Sequence, residues 1–317
     1  ALANLLSRNG HETRIWAYEW DVVETINRSH QNRRFLSGHA LSDTLLACNN
    51  VDDALSSAEL VVLATPSHVL RPLAKASARS IASRIPVVVA SKGIERDTLA
   101  LMTDVAAEEL PNNAIVALSG PSFATEVVAQ QPTAVVVASR DADAALCAQA
   151  TFSSNHFRTY THDDVTGVEL GGSLKNVMAV ATGIAEGLGL GFNARAALIT
   201  RGLAEMTRLG LKLGAEPATL SGLAGLGDLV LTCTGSLSRN RSLGVEVGRG
   251  VALDDVLAQR ETVAEGVVTT RSAHALARRE GVEMPIVDAV QRVLFEGQSA
   301  RDAIAELMAR DLRPESD

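Results

Sequence analysis

Short, nearly continuous runs of apolar and β-branched residues recur through the first half of the chain, separated by segments of helical periodicity. Each run is bounded by turn residues, and the runs are TRIWAY (13–18), LVVLAT (60–65), VVVAS (87–91), IVALS (115–119) and AVVVA (134–138). Strands buried on both faces of a parallel sheet have this composition. The alternation with helices predicts a Rossmann-type, doubly wound α/β domain whose ligands bind beyond the carboxyl ends of the strands.

The second half of the chain has a different character. From Val165 onward no strong strand-like run appears, and helical periodicity takes over. Within it, Arg201 and Glu205 have the spacing of an i,i+4 ion pair. We therefore predict a dinucleotide-binding domain over residues 1–164 and an all-α, substrate-binding domain over residues 165–317.

Composition excludes several classes of protein. The net charge of the 317 residues is −8, and no basic stripe with interleaved aromatic residues points to a nucleic-acid partner. No apolar run approaches the ~20 residues of a membrane span. The odd number and wide spacing of Cys48, Cys147 and Cys233 indicate reduced thiols in the cytoplasm. The histidines show no metal-ligand spacing with these cysteines, so we predict no structural metal.

The start of the sequence is unusual for this fold class. Residues 1–10 have the pattern of a helix that ends in glycine, and the TRIWAY strand follows. A dinucleotide-binding sheet begins with a strand and a G-x-G-x-x-G turn that lead into that helix. We therefore expect that about 15–20 residues, one strand plus its turn, precede the printed sequence.

A helical segment at 165–190 combines unusual residue types. The adjacent Gly171 and Gly172 each cost a helix roughly 1 kcal/mol relative to alanine, and such a pair usually allows a close approach to the backbone. Lys175 is the only cation of the segment. A buried amine in such surroundings can be tuned for proton transfer. The alternative is a lysine whose stem packs on the helix while its ammonium reaches water.

Further motifs supply polar groups, namely SKGIE (91–95), SGPSFA (119–124), GLAGLGD (222–228) and SRNR (238–241). They offer an ammonium, serine hydroxyls beside a glycine, a carboxylate, and a guanidinium fork suited to a phosphate. Each also has a structural interpretation, as a polar turn, a β-turn, a helix cap or a solvated basic patch. Taken jointly, they predict a site at the cleft between the two domains.

The order of these motifs is similar to that of one enzyme family. SKGIE, SGPSFA, GVELGGSLKN, NARAALITRGLAEM, GLAGLGDLVLTC and SRNR together resemble bacterial-type NAD(P)-dependent glycerol-3-phosphate dehydrogenases along nearly the whole chain. The resemblance implies NAD or NADP as cofactor. It also implies reduction of dihydroxyacetone phosphate to sn-glycerol 3-phosphate for glycerophospholipid synthesis. We further expect a homodimer. The family's glycine-rich turn has no counterpart in the printed sequence.

The resemblance also assigns roles to individual residues, with Lys175 as the catalytic proton donor and acceptor. The implied substrate ligands are Lys92, Gly120, Ser122, Lys175, Asp228, Ser238, Arg239 and Asn240. The implied cofactor contacts are Tyr18, Lys92, Ala124, Arg239, Val263 and Glu265.

Three questions stay open at this stage. Asp228 would raise the pKa of Lys175, whereas burial and the nearby Lys92 would lower it, and the sequence does not decide between them. Glu19 after the first strand run favours NAD, whereas its neighbour Tyr18 is permissive. The alternative functions are a two-domain dehydrogenase for another hydroxy acid and a non-catalytic nucleotide-domain protein.

Overall fold

The structure is a computed structural model that describes residues 1–260, 264–312 and 314–315. The chain forms two compact units: Ala1–Ser91 with Leu101–Glu169, and Lys92–Ala100 with Leu170–Asp317. The segment Lys92–Ala100 thus groups with the helical half, although it lies within the range predicted for the first domain. The division of the chain at 164/165 stays a prediction.

Among the described residues, the strands lie in the first unit and form two sheets. They are β1 (Arg14–Trp16), β2 (Leu46–Cys48), β3 (Val61–Leu63), β4 (Val87–Val89), β5 (Ile115–Ser119), β6 (Thr133–Ala138) and β7 (Phe157–His162). β1 pairs with β2 in parallel, and the other strands are ordered β3-β4-β5-β6-β7. In the register of the larger sheet, Val88 lies opposite Val62 and Val116. Each predicted run contains a strand, so the α/β prediction is confirmed.

Helices cover these strands and make up the second unit. In chain order they are α1 (Leu2–Arg8), α2 (Trp20–Ser29), α3 (Val51–Leu55), α4 (Ser67–Ser77), α5 (Met102–Glu109), α6 (Ala124–Val128), α7 (Ala142–Phe152), α8 (Val165–Gly187), α9 (Phe192–Lys212), α10 (Pro217–Leu220), α11 (Asp228–Thr234), α12 (Arg239–Gly248), α13 (Leu253–Ala258), α14 (Glu265–Glu280), α15 (Pro285–Phe295) and α16 (Ala300–Met308). A π-helical turn, Leu223–Gly227, precedes α11. The first unit's main core includes Val88, Val116, Phe152 and Phe157.

One part of the larger sheet departs from the predicted parallel order. β3, β4 and β5 are parallel, but β6 runs antiparallel to β5, and β7 is parallel to β6. The connection between β5 and β6 holds only α6, a helix of 5 residues. Such a helix rises about 7.5 Å, too little to carry the chain back along the sheet. β7 was not predicted either, because its sequence FRTYTH is largely polar and forms no continuous apolar run.

Helix α8 packs closely on α12 through glycines on both helices. A Cβ added to Gly183 would lie 2.1 Å from the carbonyl oxygen of Arg241, and one added to Gly244 would lie 2.3 Å from that of Val180. Gly187 and Gly248 make similar approaches one turn further along. The small residues of α8 therefore serve a backbone-to-backbone contact within the second unit.

Buried carboxylates cap two other helices. Glu205 is 3% exposed, and its carboxylate accepts the N–H groups of Ile286 (2.7 Å) and Val287 (3.3 Å) in the first turn of α15. The predicted Arg201–Glu205 ion pair is therefore wrong, because the carboxylate turns inward to orphan helix N–H groups. In the first unit, Glu169 accepts the N–H of Thr103 at 2.9 Å in the first turn of α5.

The described residues hold few other special features. Within them, no single helix is long and apolar enough to cross a membrane, although the bent pair Pro217–Thr234 and Arg239–Gly248 meets the criteria of length and composition. Cys48, Cys147 and Cys233 are free thiols. In the same part of the chain, no group of three His, Cys, Asp or Glu side chains is arranged to hold a metal ion.

Candidate functional site

A buried carboxylate in the second unit joins two lysines that are far apart in sequence. Asp228 is 1% exposed, and its two carboxylate oxygens take different partners. Oδ1 accepts a hydrogen bond from Lys175 Nζ, and Oδ2 accepts one from Lys92 Nζ at 2.6 Å. Lys175 is itself only 8% exposed, so the alternative of an ammonium that reaches water is wrong. We call Lys175, Asp228 and Lys92 the ion triad.

Gly171 of α8 allows the close approach that places Asp228 beside Lys175. A Cβ on Gly171 would lie 2.4 Å from the carbonyl oxygen of Ala224, in the π-helical turn before α11. The turn's main chain, rather than a ligand, occupies this face of α8. Because α11 begins at Asp228, the close contact brings the carboxylate to the level of Lys175, one helical turn further along. Thr232 donates to the Asp228 carbonyl oxygen at 2.6 Å within α11.

The ion triad answers the question that the sequence left open about Lys175. Burial lowers the pKa of Lys175 to about 7 from its usual 10.5, because desolvation outweighs the opposing effect of Asp228, and Lys92 adds to the lowering. Burial raises the pKa of Asp228, but the two ammonium groups outweigh it and hold that pKa below its usual value. At neutral pH the carboxylate is therefore charged, and Lys175 gives up its proton far more readily than an ordinary lysine.

The loop that carries Lys92 is tied to the same helix. Ser173, 1% exposed, donates to the carbonyl oxygen of Gly93 at 3.1 Å. Ser173 precedes Lys175 by two residues on α8. Lys92 is thus fixed both by Asp228 of α11 and by the hydrogen bond between its own loop and α8.

The first turn of α12 holds three of the predicted substrate ligands. Ser238 caps the helix, since its Oγ accepts the N–H of Arg241 at 3.2 Å. Asn240 is buried and donates to Asn176 Oδ1 at 2.9 Å. Arg239 is exposed and, within the described residues, makes no ion pair. The guanidinium of Arg239 is therefore available for an anion beside a helix N-terminus.

The neighbouring Arg241 has a structural role. Its guanidinium pairs with Glu186, which also pairs with Arg195 at 2.7 Å. Its Nε donates to the carbonyl oxygen of Gly235 at 3.1 Å. Of the two arginines in the SRNR motif, only Arg239 is free to bind a ligand.

The remaining predicted ligands with described positions lie in the first unit, except Glu265. Gly120 follows β5 with φ +135, where a Cβ would lie 2.9 Å from the Cα of Val135. Ser122 donates to the Gly120 carbonyl oxygen at 3.0 Å. Ala124 begins α6 and is exposed, and Tyr18 is 80% exposed after β1. Gly120, Ser122 and Ala124 thus lie on the short segment that leads from β5 into α6.

Two polar atoms of the first unit fit a bound nucleotide. The hydroxyls of Thr65, after β3, and Ser119, at the end of β5, are buried, and neither has a hydrogen-bond partner in the described part of the chain. Buried polar groups are rarely left without a partner. Both lie at carboxyl ends of parallel strands, where such sheets bind dinucleotides.

Two of the predicted cofactor contacts, Val263 and Glu265, lie in or next to residues 261–263, which the structure does not describe. Val263 lies outside the described residues. Glu265 is the first residue of α14.

Sequence reasoning missed several residues around the site. Asn176 follows Lys175 directly, and only that adjacency could have drawn attention to it. Thr232 gave no signal, because what marks it is burial and a main-chain partner one turn earlier in α11.

Two profiles of one family and several relatives match most of the chain. The sequence profile described as NAD-dependent glycerol-3-phosphate dehydrogenase N-terminus matches residues 1–145, and the corresponding C-terminus profile matches residues 164–305. A glycerol-3-phosphate dehydrogenase [NAD(P)+] of Geobacter sulfurreducens is 53% identical over 317 residues, which cover 99% of this chain and 95% of the relative. That of Myxococcus xanthus is 50% identical, covering 99% and 95%.

A solved structure extends the comparison to three dimensions. The crystal structure of glycerol-3-phosphate dehydrogenase from Coxiella burnetii matches with a TM-score of 0.94 at 39% identity, covering 98% of this chain and 95% of that one. Together, the matched profiles and the two identities of 50% or more decide the family. The chain belongs to the NAD-dependent glycerol-3-phosphate dehydrogenase family.

Proposed function

We propose that the chain catalyses the reversible, NAD(P)-dependent interconversion of dihydroxyacetone phosphate and sn-glycerol 3-phosphate. Family membership supports this reaction, and the single structural observation that carries it is the ion triad. A lysine buried against a charged carboxylate, with its pKa lowered to about 7, is matched to proton transfer at neutral pH. The product would feed glycerophospholipid synthesis.

Lys175 would be the proton donor and acceptor. When bound, the nicotinamide supplies or accepts the hydride. During reduction, negative charge develops on the carbonyl oxygen of the substrate, and the protonated Lys175 stabilises it and then donates the proton. During oxidation, the neutral amine takes the hydroxyl proton. A pKa of about 7 lets one side chain serve both directions.

The other members of the ion triad would support this exchange. Asp228 stays ionised because the two ammonium groups lower its pKa, so it orients Lys175 without competing for the proton. The Lys92 ammonium is held by the same carboxylate at 2.6 Å and contributes positive charge next to the developing oxyanion.

The phosphate of the substrate would be bound by Arg239 at the N-terminus of α12, with Ser238 and Asn240 from the same turn. Gly120 and Ser122 would complete the substrate site. Tyr18, Ala124 and Glu265 would contact the nucleotide, as would Lys92 and Arg239. Binding energy from the non-reacting phosphate positions the carbonyl for reaction.

Two wider properties belong to the same proposal. The free thiols of Cys48, Cys147 and Cys233 support a cytoplasmic location. We also propose a homodimer, which light scattering after size-exclusion chromatography tests directly.

The experiment compares Lys175→Ala with Lys212→Ala, a matched change at an exposed lysine at the end of α9. Loss of NADH or NADPH absorbance follows reduction of dihydroxyacetone phosphate. Loss of general acid catalysis alone lowers a rate by about 10²- to 10⁴-fold, and we expect at least this loss in kcat for Lys175→Ala. Lys212→Ala should match the wild type. A Lys175→Ala enzyme with wild-type kcat would refute the role of Lys175.

A further inference from the structure

A buried carboxylate that the proposed mechanism does not use lies ahead of Lys175 on α8. Glu169 is 7% exposed, and both of its oxygens take Thr103 as partner. Oε1 accepts the Thr103 N–H at 2.9 Å, and Oε2 accepts the Thr103 hydroxyl. Thr103 lies in the first turn of α5. Because an ionised carboxylate accepts with both oxygens, Glu169 anchors the start of α5 to α8 at two points.

The start of α5 is also where the chain arrives from Lys92. The residues Lys92–Ala100, which we call the Lys92 segment, lie between β4 and α5. Within the segment, the N–H of Glu95 donates to the Ala100 carbonyl oxygen at 2.9 Å, and the N–H of Leu99 donates to the Glu95 carbonyl oxygen at 3.1 Å. The segment is therefore a closed turn whose two sides are bonded to each other, and a shift at its end displaces its beginning.

The same face of α8 holds the beginning of the Lys92 segment. Ser173 is 1% exposed and donates to the Gly93 carbonyl oxygen at 3.1 Å. Glu169 and Ser173 have the i,i+4 spacing that places two side chains on one face of a helix. Helix α8 thus holds the Lys92 segment next to Lys92 and again just after its end.

The position of the Lys92 ammonium depends on how this segment is held. Lys92 Nζ donates to Asp228 Oδ2 at 2.6 Å, and Lys175 donates to the other oxygen of the same carboxylate. A misplacement of about 1 Å at a reacting group can cost about 10²-fold in rate, even when the substitution that causes it is remote. The rate is therefore sensitive to small movements of the Lys92 segment.

We propose that Glu169 is a positioning residue: by anchoring the start of α5 to α8, it keeps the Lys92 ammonium beside Asp228 and the reacting oxygen. This inference rests on the proposed function, in which Lys92 contributes positive charge next to the developing oxyanion. Glu169 acts on that oxygen only through the Lys92 segment. Its loss lowers kcat rather than raising KM, because charge on the oxyanion develops only in the transition state.

Glu205 supplies a matched control for a purely structural role. It is also a buried glutamate, 3% exposed, and it accepts the N–H groups of Ile286 and Val287 in the first turn of α15. Glu205 lies on α9, and neither α9 nor α15 carries a member of the ion triad. Glu205→Ala therefore removes the same kind of helix cap without loosening the Lys92 segment.

The first test compares the two alanine variants in the reduction of dihydroxyacetone phosphate. Glu169→Ala should lower kcat about 10- to 100-fold with KM changed less than about threefold. Glu205→Ala should keep kcat within about threefold of the wild type, whatever stability it loses. Glu169→Gln should restore kcat to within about threefold, since its amide oxygen accepts the Thr103 N–H and its amino group donates to the Thr103 hydroxyl.

A double-mutant cycle shows whether Glu169 acts through Lys92. In the Lys92→Ala background, Glu169→Ala should lower kcat less than about threefold further, because the residue through which it acts is gone. Thermal midpoints establish that each variant is folded. Should Glu169→Ala fail to fold, Thr103→Val replaces it, since valine removes the hydroxyl bond and keeps the N–H; it should lower kcat more than about threefold.

Two results would overturn the role of Glu169: a kcat loss no larger than that of Glu205→Ala, or losses that multiply in the double variant with Lys92→Ala. The proposed function is judged separately, on the wild type. A wild-type chain that reduces no dihydroxyacetone phosphate would refute that function, whereas either of the two results in an active enzyme refutes only the positioning role.

Discussion

Replacing Asp228 by asparagine removes the one negative charge of the ion triad while nearly preserving its shape. In the wild type, the Asp228 carboxylate accepts hydrogen bonds from both Lys175 and Lys92, the second at 2.6 Å. An amide can accept from one lysine only, and its amino group faces the other. Two ammonium groups are then left close together with no counter-charge.

The size of the effect on Lys175 follows from the causes of its pKa. Burial already lowers that pKa to about 7, with Asp228 opposing the shift. A neighbouring opposite charge shifts a pKa by about 1–3 units, so its removal should lower the pKa of Lys175 further by that amount. Each unit corresponds to about 1.4 kcal/mol and makes protonated lysine roughly tenfold scarcer at neutral pH. Stability should also fall by about 3–5 kcal/mol, the cost of breaking a buried pair.

The assay is the pH dependence of kcat/KM in both directions, followed by NADH absorbance. Reduction needs the protonated amine, so its rate falls as pH rises through the pKa of Lys175. Oxidation of glycerol 3-phosphate needs the neutral amine, so its rate rises through the same pH. In Asp228→Asn both midpoints should move at least one unit (about 1–3) toward acid.

The control is Asp288→Asn, the same chemical change at a half-exposed carboxylate on α15 that lies 3.4 Å from His274. It should leave both midpoints unchanged. If a folded Asp228→Asn enzyme gave profiles that superimpose on those of the wild type, the electrostatic account of Lys175 would be refuted.

Further predictions concern the packing and the capping carboxylates. Gly244→Ala should destabilise the protein by about 1–3 kcal/mol in urea unfolding, because its Cβ would lie 2.3 Å from a carbonyl oxygen of α8. Gly191→Ala has nothing within 4 Å and should cost less than Gly244→Ala, namely only the difference between glycine and alanine as the N-cap of α9. A larger loss for Gly191→Ala than for Gly244→Ala would contradict the glycine contact. Burial raises the pKa of Glu205 to about 7 from 4.5, so the folded state binds the extra proton between these values, and the stabilisation is present below pH 4.5 and lost as pH rises through 7. Relative to Glu205→Gln, the wild type should therefore lose about 3 kcal/mol of unfolding free energy over that range, and a constant difference would contradict the shift. Glu169→Gln should show the same trend, since burial raises the pKa of Glu169 to about 7 as well.

How far the sequence predicts the fold depends on how local each signal is. β5 was predicted with its correct bounds, because a continuous apolar run between turn residues is a local pattern. β7 was not predicted, because its sequence FRTYTH is largely polar and forms no continuous apolar run. The antiparallel pairing of β5 and β6 follows from the short connection between them. The hydrophobic periodicity of a strand does not show in which direction the strand runs.

The features of the candidate site also differ in whether a local sequence pattern predicts them or whether they depend on tertiary contacts. The glycine pair in α8 predicted a close approach, and Gly171 makes one, but the approaching group is the main chain of a π-helical turn. The residue types of the ion triad were evident in the sequence. The direction of the pKa shift of Lys175 was not, because desolvation depends on how completely distant segments bury the amine. The inward turn of Glu205 and the hydrogen bond from Asn240 to Asn176 likewise depend on tertiary contacts.

The central claim is that Lys175 exchanges the proton with a pKa of about 7. The most direct measurement is the pH profile of kcat/KM for the wild-type enzyme in both directions. The substrate phosphate also titrates near pH 6, but it moves both profiles the same way. We predict limbs of opposite sign near pH 7, falling for reduction and rising for oxidation. Limbs of the same sign, or a midpoint near the ordinary lysine pKa of 10.5, would contradict the account.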